Sequence, residues 1–309
     1  MLPARNDLQL KAEMHVEIRN CIKGFLGHCQ IDYHQYDSTD KTFLALCYEE
    51  ANSRGYILEG EQSLLPFIPG GAIMALTGYA HLQDIRVQIL IALYTACGIY
   101  LDDKFKQDID AVASFGENFL HATPHKDRVL DAFSDIILEI FRCFPRVAAN
   151  IMVSSTLNGV NALLLEYETR DMKISKHAGH YPTFSRVMSG ASETYALFAF
   201  PATVPVEDYI QALPELMIFI NNGNDILSFF KEESDGESTN RISLLAASSG
   251  LSKIQVLHDL VNEAAIANDN VLEILKHSHA AYNAYRKFSC GFIGFHLALK
   301  RYRLVELDL

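Results

Sequence analysis

The stretch IQALPELMIFINNGNDILSFFKEE, residues 210–233, decides how this chain folds. Its first part, IQALPELMIFI (210–220), is apolar nearly all round, as expected of a helix at the centre of a bundle. Further on, Ile226, Leu227, Phe229 and Phe230 keep the segment apolar, while Asn224, Ser228 and Glu232 recur every four residues. A spacing of four turns a helix by about 400°, so these three form one stripe with an amide oxygen, a hydroxyl and a carboxylate. Oxygen ligands of low total charge suit a hard cation such as Mg²⁺, which keeps waters and is completed by a substrate phosphate. Lys231, next to Glu232, could swing a positive charge toward such a phosphate. A solvated polar face is the competing reading of the stripe, and its apolar setting argues against it.

Working outward, VLDAFSDIILEIFRCF (129–144) places Val129, Phe133, Ile136, Ile137, Ile140 and Phe144 at helical spacing and predicts an outer helix. Turn signals separate segments of helical length: LLPFIPGG (64–71), GENF (116–119), ATPHKD (122–127), HAGHYP (177–182), FPATVP (200–205) and ESDGESTN (233–240). Sustained period-2 alternation is scarce, and no repeat, low-complexity tract or Gly/Ser linker divides the chain. With 49% apolar and 21% charged residues, the expectation is one all-α helical bundle domain over residues 1–309.

Composition narrows the function. A net charge of -12, with 26 Lys and Arg scattered among 38 acids, argues against nucleic-acid binding. Six cysteines in mostly apolar surroundings, with no C-x-x-C pair, read as reduced thiols of a cytoplasmic protein. The first twenty residues mix charges with isolated apolar residues, so neither a signal peptide nor an anchor is expected. The longest apolar run, IALYTACGIYL (91–101), is too short to span a bilayer. His177 and His180 form no metal-ligand spacing and are read as structural.

A second chemical feature is IYLDDKFKQD (99–108), where an apolar helix ends in Asp102 and Asp103. Acids at a helix C-terminus face the unfavourable end of its dipole, so a positive group is expected nearby. Mg²⁺ on Asp102, with Asp103 hydrogen-bonding behind it, would supply that charge; two surface acids at a helix end are the simpler alternative.

An aspartate-rich helix end, followed about 120 residues later by N-D-x-x-S-x-x-K-E, resembles the class I terpene cyclases, and in detail the fungal trichodiene synthase group. YPTFSRVMSG (181–190) resembles the segment that carries that group's diphosphate-sensing arginine and the glycine of a helix break. RYRLVEL (301–307) resembles its C-terminal Arg-Tyr motif. The resemblance implies a class I terpene synthase bundle with a central active-site cavity. It implies three Mg²⁺ ions, two on Asp102 and the third on Asn224, Ser228 and Glu232. Arg186, Lys231, Arg301 and Tyr302 would hold the diphosphate. The carbonyl of Gly190 would face the departing diphosphate, with Ser189 linking it to Arg186. One position departs from the pattern: where the group has a third acid, this chain has Lys106, and the next acids are Asp108 and Asp110.

The function implied is a Mg²⁺-dependent sesquiterpene synthase that ionises farnesyl diphosphate and cyclises the cation to a hydrocarbon or alcohol. A C10 or C20 substrate stays open, as does a non-catalytic isoprenoid-diphosphate-binding protein derived from a cyclase. A chain-elongating prenyltransferase should carry two complete aspartate-rich motifs, and NDILSFFKE stands in place of the second. The family commonly forms homodimers. Helical phase nominates Tyr94 and Gly98, eight and four residues before Asp102, and Met217 and Ile220, seven and four before Asn224, as pocket liners, with Phe67 and Tyr195 as further candidates. Asn221, three residues before Asn224, either faces the pocket to hold a water or steer a cation, or belongs to a helix irregularity with interhelical hydrogen bonds. ESDGESTNRISLL (233–245) is expected as a polar loop that orders over the site or is a solvated linker.

Overall fold

The computed structural model describes residues 5–30, 40–57, 62–105 and 109–309, and among them it contains α-helices and short 3-10 turns but no strand. The chain runs through α1 (Arg5–His28), α2 (Lys41–Ser53), α3 (Ile68–Gly78), α4 (Ile85–Phe105), α5 (Ile109–Ala113), α6 (Phe115–His121) and α7 (Arg128–Cys143). It continues through α8 (Arg146–Thr169), α9 (Tyr181–Ser189), α10 (Ser192–Phe198), α11 (Leu213–Ser234), α12 (Arg241–Ser249), α13 (Lys253–Leu275) and α14 (His279–Ala298). The all-α bundle read from the sequence is the fold observed.

The central helix is α11. It carries Pro214 in its first turn, where a missing N–H costs nothing. It then runs unbroken through NNGN (221–224), so no irregularity occurs there. Leu216, Phe219, Ile220, Ile226, Leu227, Phe229 and Phe230 are all buried, against α1, α10, α13 and α14. The outer helix α7 is capped by the Asp127 carboxylate, which accepts from Val129 N at 2.9 Å. Its predicted face is buried, while Leu138 and Phe141 are exposed.

Two expected turns are helical. GENF lies inside α6, and the glycines of LLPFIPGG lie in the first turn of α3. The reason at Gly71 is close approach: a Cβ there would sit 1.9 Å from the Ala92 carbonyl oxygen of α4. Gly291 of α14 is likewise pressed on α3, where a Cβ would meet the Thr77 carbonyl oxygen at 1.9 Å. Backbone thus touches backbone on both sides of α3, and this draws α4 and α14 together around it.

By length and composition, α4 over Ile85–Lys104 and α8 over Arg146–Thr169 are apolar enough to cross a membrane, although the longest uninterrupted run is short. Both line the internal cavity described below, which accounts for their apolar faces.

Gly291→Ala should lower stability by about 3 kcal/mol, because neither carbonyl nor helix can yield without repacking. Gly24→Ala, at an exposed α1 position with open space around it, should instead gain up to about 1 kcal/mol. Denaturant midpoints of the two variants check this pair.

Candidate active site

A cavity of about 590 Å³ lies between α4, α8, α10, α11 and α14. Tyr94, Thr95 and Gly98 of α4, Phe133, Val160, Tyr195, Ile220, Phe292 and Phe295 give it aromatic and aliphatic walls. Asp102, Arg186, Asn224, Ser228, Lys231, Glu232, Arg301 and Tyr302 also line it. Asp102 occupies the last turn of α4, Lys231 and Glu232 the last turn of α11, and Arg301 and Tyr302 the 3-10 turn after α14. Arg186 lies in the last turn of α9, so four helix C-terminal ends deliver these charged groups.

The acids of α4 have their expected positive partner, and it is a side chain. Arg301 Nη2 lies 2.5 Å from Asp102 Oδ2, and its Nη1 is 3.7 Å from Asp103 Oδ1. Lys106 lies outside the described residues.

Along α11 the stripe is intact and each member differs in state. Asn224 Oδ1 accepts from Arg186 Nη2 at 2.8 Å, and its Nδ2 lies 3.0 Å from His296 Nε2. His296 is fully buried, which pushes its pKa down to about 4. The neutral ring places Nδ1 2.8 Å from the Phe292 carbonyl, to which it donates, so Nε2 accepts from Asn224. The Ser228 hydroxyl is buried with no partner in hydrogen-bonding geometry. Burial pushes the Glu232 carboxyl up to about 7, with the nearby Ser228 hydroxyl and the Lys231 charge working against the rise. A buried orphan hydroxyl between an amide oxygen and a carboxylate is a donor set that a hard cation fits. Among the described residues no group of three or more His, Cys, Asp or Glu side chains could cage a metal. A cation here would therefore be completed by waters or by a ligand's oxygens.

Two buried charges escaped the sequence reading. Asp225 Oδ1 lies 2.8 Å from Arg186 Nε, and its Oδ2 lies 3.1 Å from Arg241 Nη1. Arg241 Nη1 also donates to Asn222 Oδ1 at 2.6 Å, and Asn222 Nδ2 donates to Glu263 at 2.8 Å. The available signal was an acid on an otherwise buried helix, which must find a cationic partner. Arg241 was hidden inside an expected polar loop. That loop is short: Glu233 and Ser234 belong to α11, and α12 begins at Arg241 with Asn240 as its cap, accepting from Ser243 N at 2.9 Å.

The α9–α10 break also differs in detail. Gly190 has φ -75°, and the left-handed residue is Ala191 with φ 42°. Conformational freedom is thus not what Gly190 supplies; a Cβ there would lie 2.1 Å from Asn221 Oδ1. Ser189 Oγ donates to the Arg186 carbonyl at 3.3 Å, so it touches the backbone of Arg186 and not its guanidinium.

Of the expected liners, Tyr94, Gly98, Tyr195 and Ile220 face the cavity, and Phe67, Met217 and Asn221 do not. Phe67 packs edge-on against Tyr100 with ring centroids 5.3 Å apart. Met217 lies about one helical turn beyond Ile220, past the cavity wall. Asn221 is about 60° round the helix from Asn224 and turns to α10, where its Nδ2 donates to Ser192 Oγ at 3.2 Å.

Residues 72–308 match the family model Trichodiene synthase (TRI5). The chain is 37% identical to Alpha-cuprenene synthase COP6 of Coprinopsis cinerea over 99% of its own length and 94% of that protein's. It is 32% identical to Monoterpene synthase 25 of Postia placenta over 80% of its length and 75% of that protein's. Among solved structures, the Linalool/Nerolidol synthase of Streptomyces clavuligerus in complex with 2-fluorogeranyl diphosphate superposes with a TM-score of 0.61 at 14% identity. That superposition covers 83% of this chain and 92% of the other. With most of its length matched to the family and its whole length to a terpene synthase, this chain belongs to the trichodiene synthase family.

Proposed function

We propose that this protein is a Mg²⁺-dependent sesquiterpene synthase that ionises farnesyl diphosphate, cyclises the carbocation and releases diphosphate. The observation that carries the reading is the Asn224–Ser228–Glu232 stripe, with its orphan hydroxyl, at the edge of an aromatic cavity and in company with Arg186, Lys231 and Arg301. A cavity of about 590 Å³ is ample for a small-molecule ligand.

Asp102 on one side and Asn224, Ser228 and Glu232 on the other would hold the metal, three ions in all. When bound, Mg²⁺ supplies electrostatic stabilisation of the charge that develops on the leaving diphosphate. Arg186, Lys231, Arg301 and Tyr302 hold the diphosphate and add positive charge and a phenol donor where that charge grows. Burial keeps the Tyr302 phenol protonated, with its pKa pushed well up. The C1–O bond breaks with its electron pair leaving on diphosphate, which makes an allylic cation. The faces of Tyr94, Phe133, Tyr195 and Phe292 stabilise that cation while the apolar walls exclude water. Loss of a proton then gives a hydrocarbon, and capture of one water with loss of a proton from it gives an alcohol. Lyase chemistry of this kind requires no covalent nucleophile on the protein.

Purified protein with farnesyl diphosphate and Mg²⁺ should release pyrophosphate and yield a cyclic C15 product by mass spectrometry. Asn224→Ala should cost about 100-fold or more in kcat/KM. Faster turnover of geranyl diphosphate would move the substrate to C10. Diphosphate binding without turnover of any chain length would point to the non-catalytic alternative and to Lys106.

Glu232 sets a pH dependence. With its pKa raised to about 7, the carboxyl is mostly neutral at pH 6 and must lose its proton to take a cation, whereas at pH 8 it is already ionised. The rise in Tm produced by Mg²⁺ with pyrophosphate should therefore be larger at pH 8 than at pH 6. Without metal the sign reverses: the protonated form is the favoured buried one, so Glu232 contributes a loss of stability as pH climbs from about 4.5 to 7.

Gly190→Ala forces a Cβ against Asn221 and must displace the α9–α10 break. Pyrophosphate binding measured by calorimetry should survive, while kcat falls about tenfold or more.

A further inference from the structure

An asparagine that ligates a metal has a difficulty that an aspartate lacks. Its two ends differ, and only Oδ1 can face a cation, since Nδ2 presents two N–H donors. Something must therefore choose the orientation of the Asn224 amide. Two neighbours touch it: the Arg186 guanidinium, which can only donate and so selects Oδ1, and the His296 Nε2, which accepts and so selects Nδ2.

These neighbours are not equivalent. On the reading proposed above, the Arg186 guanidinium is taken up by the diphosphate, so its hold on Oδ1 is weakened as the site fills. His296 has no such second task. Its Nδ1 donates to the Phe292 carbonyl one turn back in α14 at 2.8 Å, and it is 1% exposed. The rings of Phe292, Phe295 and Tyr302 surround it, with centroids 4.7, 5.2 and 4.5 Å away. Packing therefore fixes the ring, and the Phe292 carbonyl fixes which nitrogen keeps its lone pair.

We infer that His296 is a positioning residue for metal binding: by accepting from Asn224 Nδ2 it keeps Oδ1 turned to the cation after Arg186 engages the diphosphate. The inference rests on the Mg²⁺ reading of the Asn224 stripe. Sequence gives no hint of it, because His296 lies 72 residues from Asn224 on another helix. It also makes α14, whose end leads into Arg301 and Tyr302, a structural support of the α11 stripe.

The test is Mg²⁺ titration of the full chain in the presence of inorganic pyrophosphate by calorimetry, with the apparent KM for Mg²⁺ and kcat measured alongside. His296→Phe keeps an aromatic ring and removes the acceptor; it should weaken Mg²⁺ about tenfold and raise the KM for Mg²⁺ more than it lowers kcat. His296→Gln, which offers an amide oxygen to Asn224, should recover most of that loss. If His296→Phe does not fold, His296→Leu carries the same expectation. Wild-type binding that is lost in Asn224→Ala but unchanged in the acceptor-less variant overturns the role of His296 alone. No Mg²⁺-dependent binding in the wild type overturns both the metal reading and this inference.

Discussion

Everything in this protein depends on the need to carry polar side chains down a helix that is otherwise buried. Helix α11 buries Asn221, Asn222, Asp225 and Ser228 and half-buries Asn224 and Glu232 among Phe219, Ile226, Phe229 and Phe230. Each buried polar atom costs free energy unless matched, by about 1–3 kcal/mol for a neutral group and more for a charge. The surrounding helices are arranged to meet that demand. Arg186 from α9 and Arg241 from α12 bracket Asp225, His296 from α14 takes Asn224, Ser192 from α10 takes Asn221, and Glu263 from α13 takes Asn222. Two polar atoms of α11 are left over: Asn221 Oδ1, which lies against Gly190, and the Ser228 hydroxyl, in the middle of the stripe.

The charged groups of the site are held against one another. Arg301 sits on the acids of α4, and Arg186 on Asp225 and Asn224. In this arrangement Arg186 and Arg301 each have a protein partner that, on the proposed function, an anionic ligand with its metal would replace. On the function proposed above, Arg186 and Arg301 would exchange carboxylate for diphosphate, while Asp102 and Asn224 would exchange arginine for metal. Such an exchange would leave neither arginine as an isolated buried charge. Asp225 faces two arginines and loses only one of them in such an exchange, so it remains neutralised by Arg241.

Much of this was legible from residue order. The 3.6-residue periodicity of α7 and the all-round apolarity of α11 are local properties, and they decide helix class and burial without reference to the rest of the chain. The four-residue spacing of Asn224, Ser228 and Glu232 is local as well. Glycines misled the reading where their reason was contact. Gly71 looks like a turn residue and is helical because the Ala92 backbone lies where a side chain would be. Gly190 looked like a source of flexibility and is instead a space for Asn221.

What the sequence by itself determined is the helical class, the central helix with its three oxygen donors, and the acidic end of α4. Each follows from a pattern within one segment. What only the tertiary structure decided is which groups answer those donors. Arg241, His296 and the orientation of the Asn224 amide come from helices far apart in sequence, as does the placing of Asn221 and Met217 away from the cavity. The physical reason is that helical phase tells which residues share a face but not how deep a cavity reaches or which neighbour stands opposite. Those depend on how closely the helices approach, and glycine contacts between backbones set that distance.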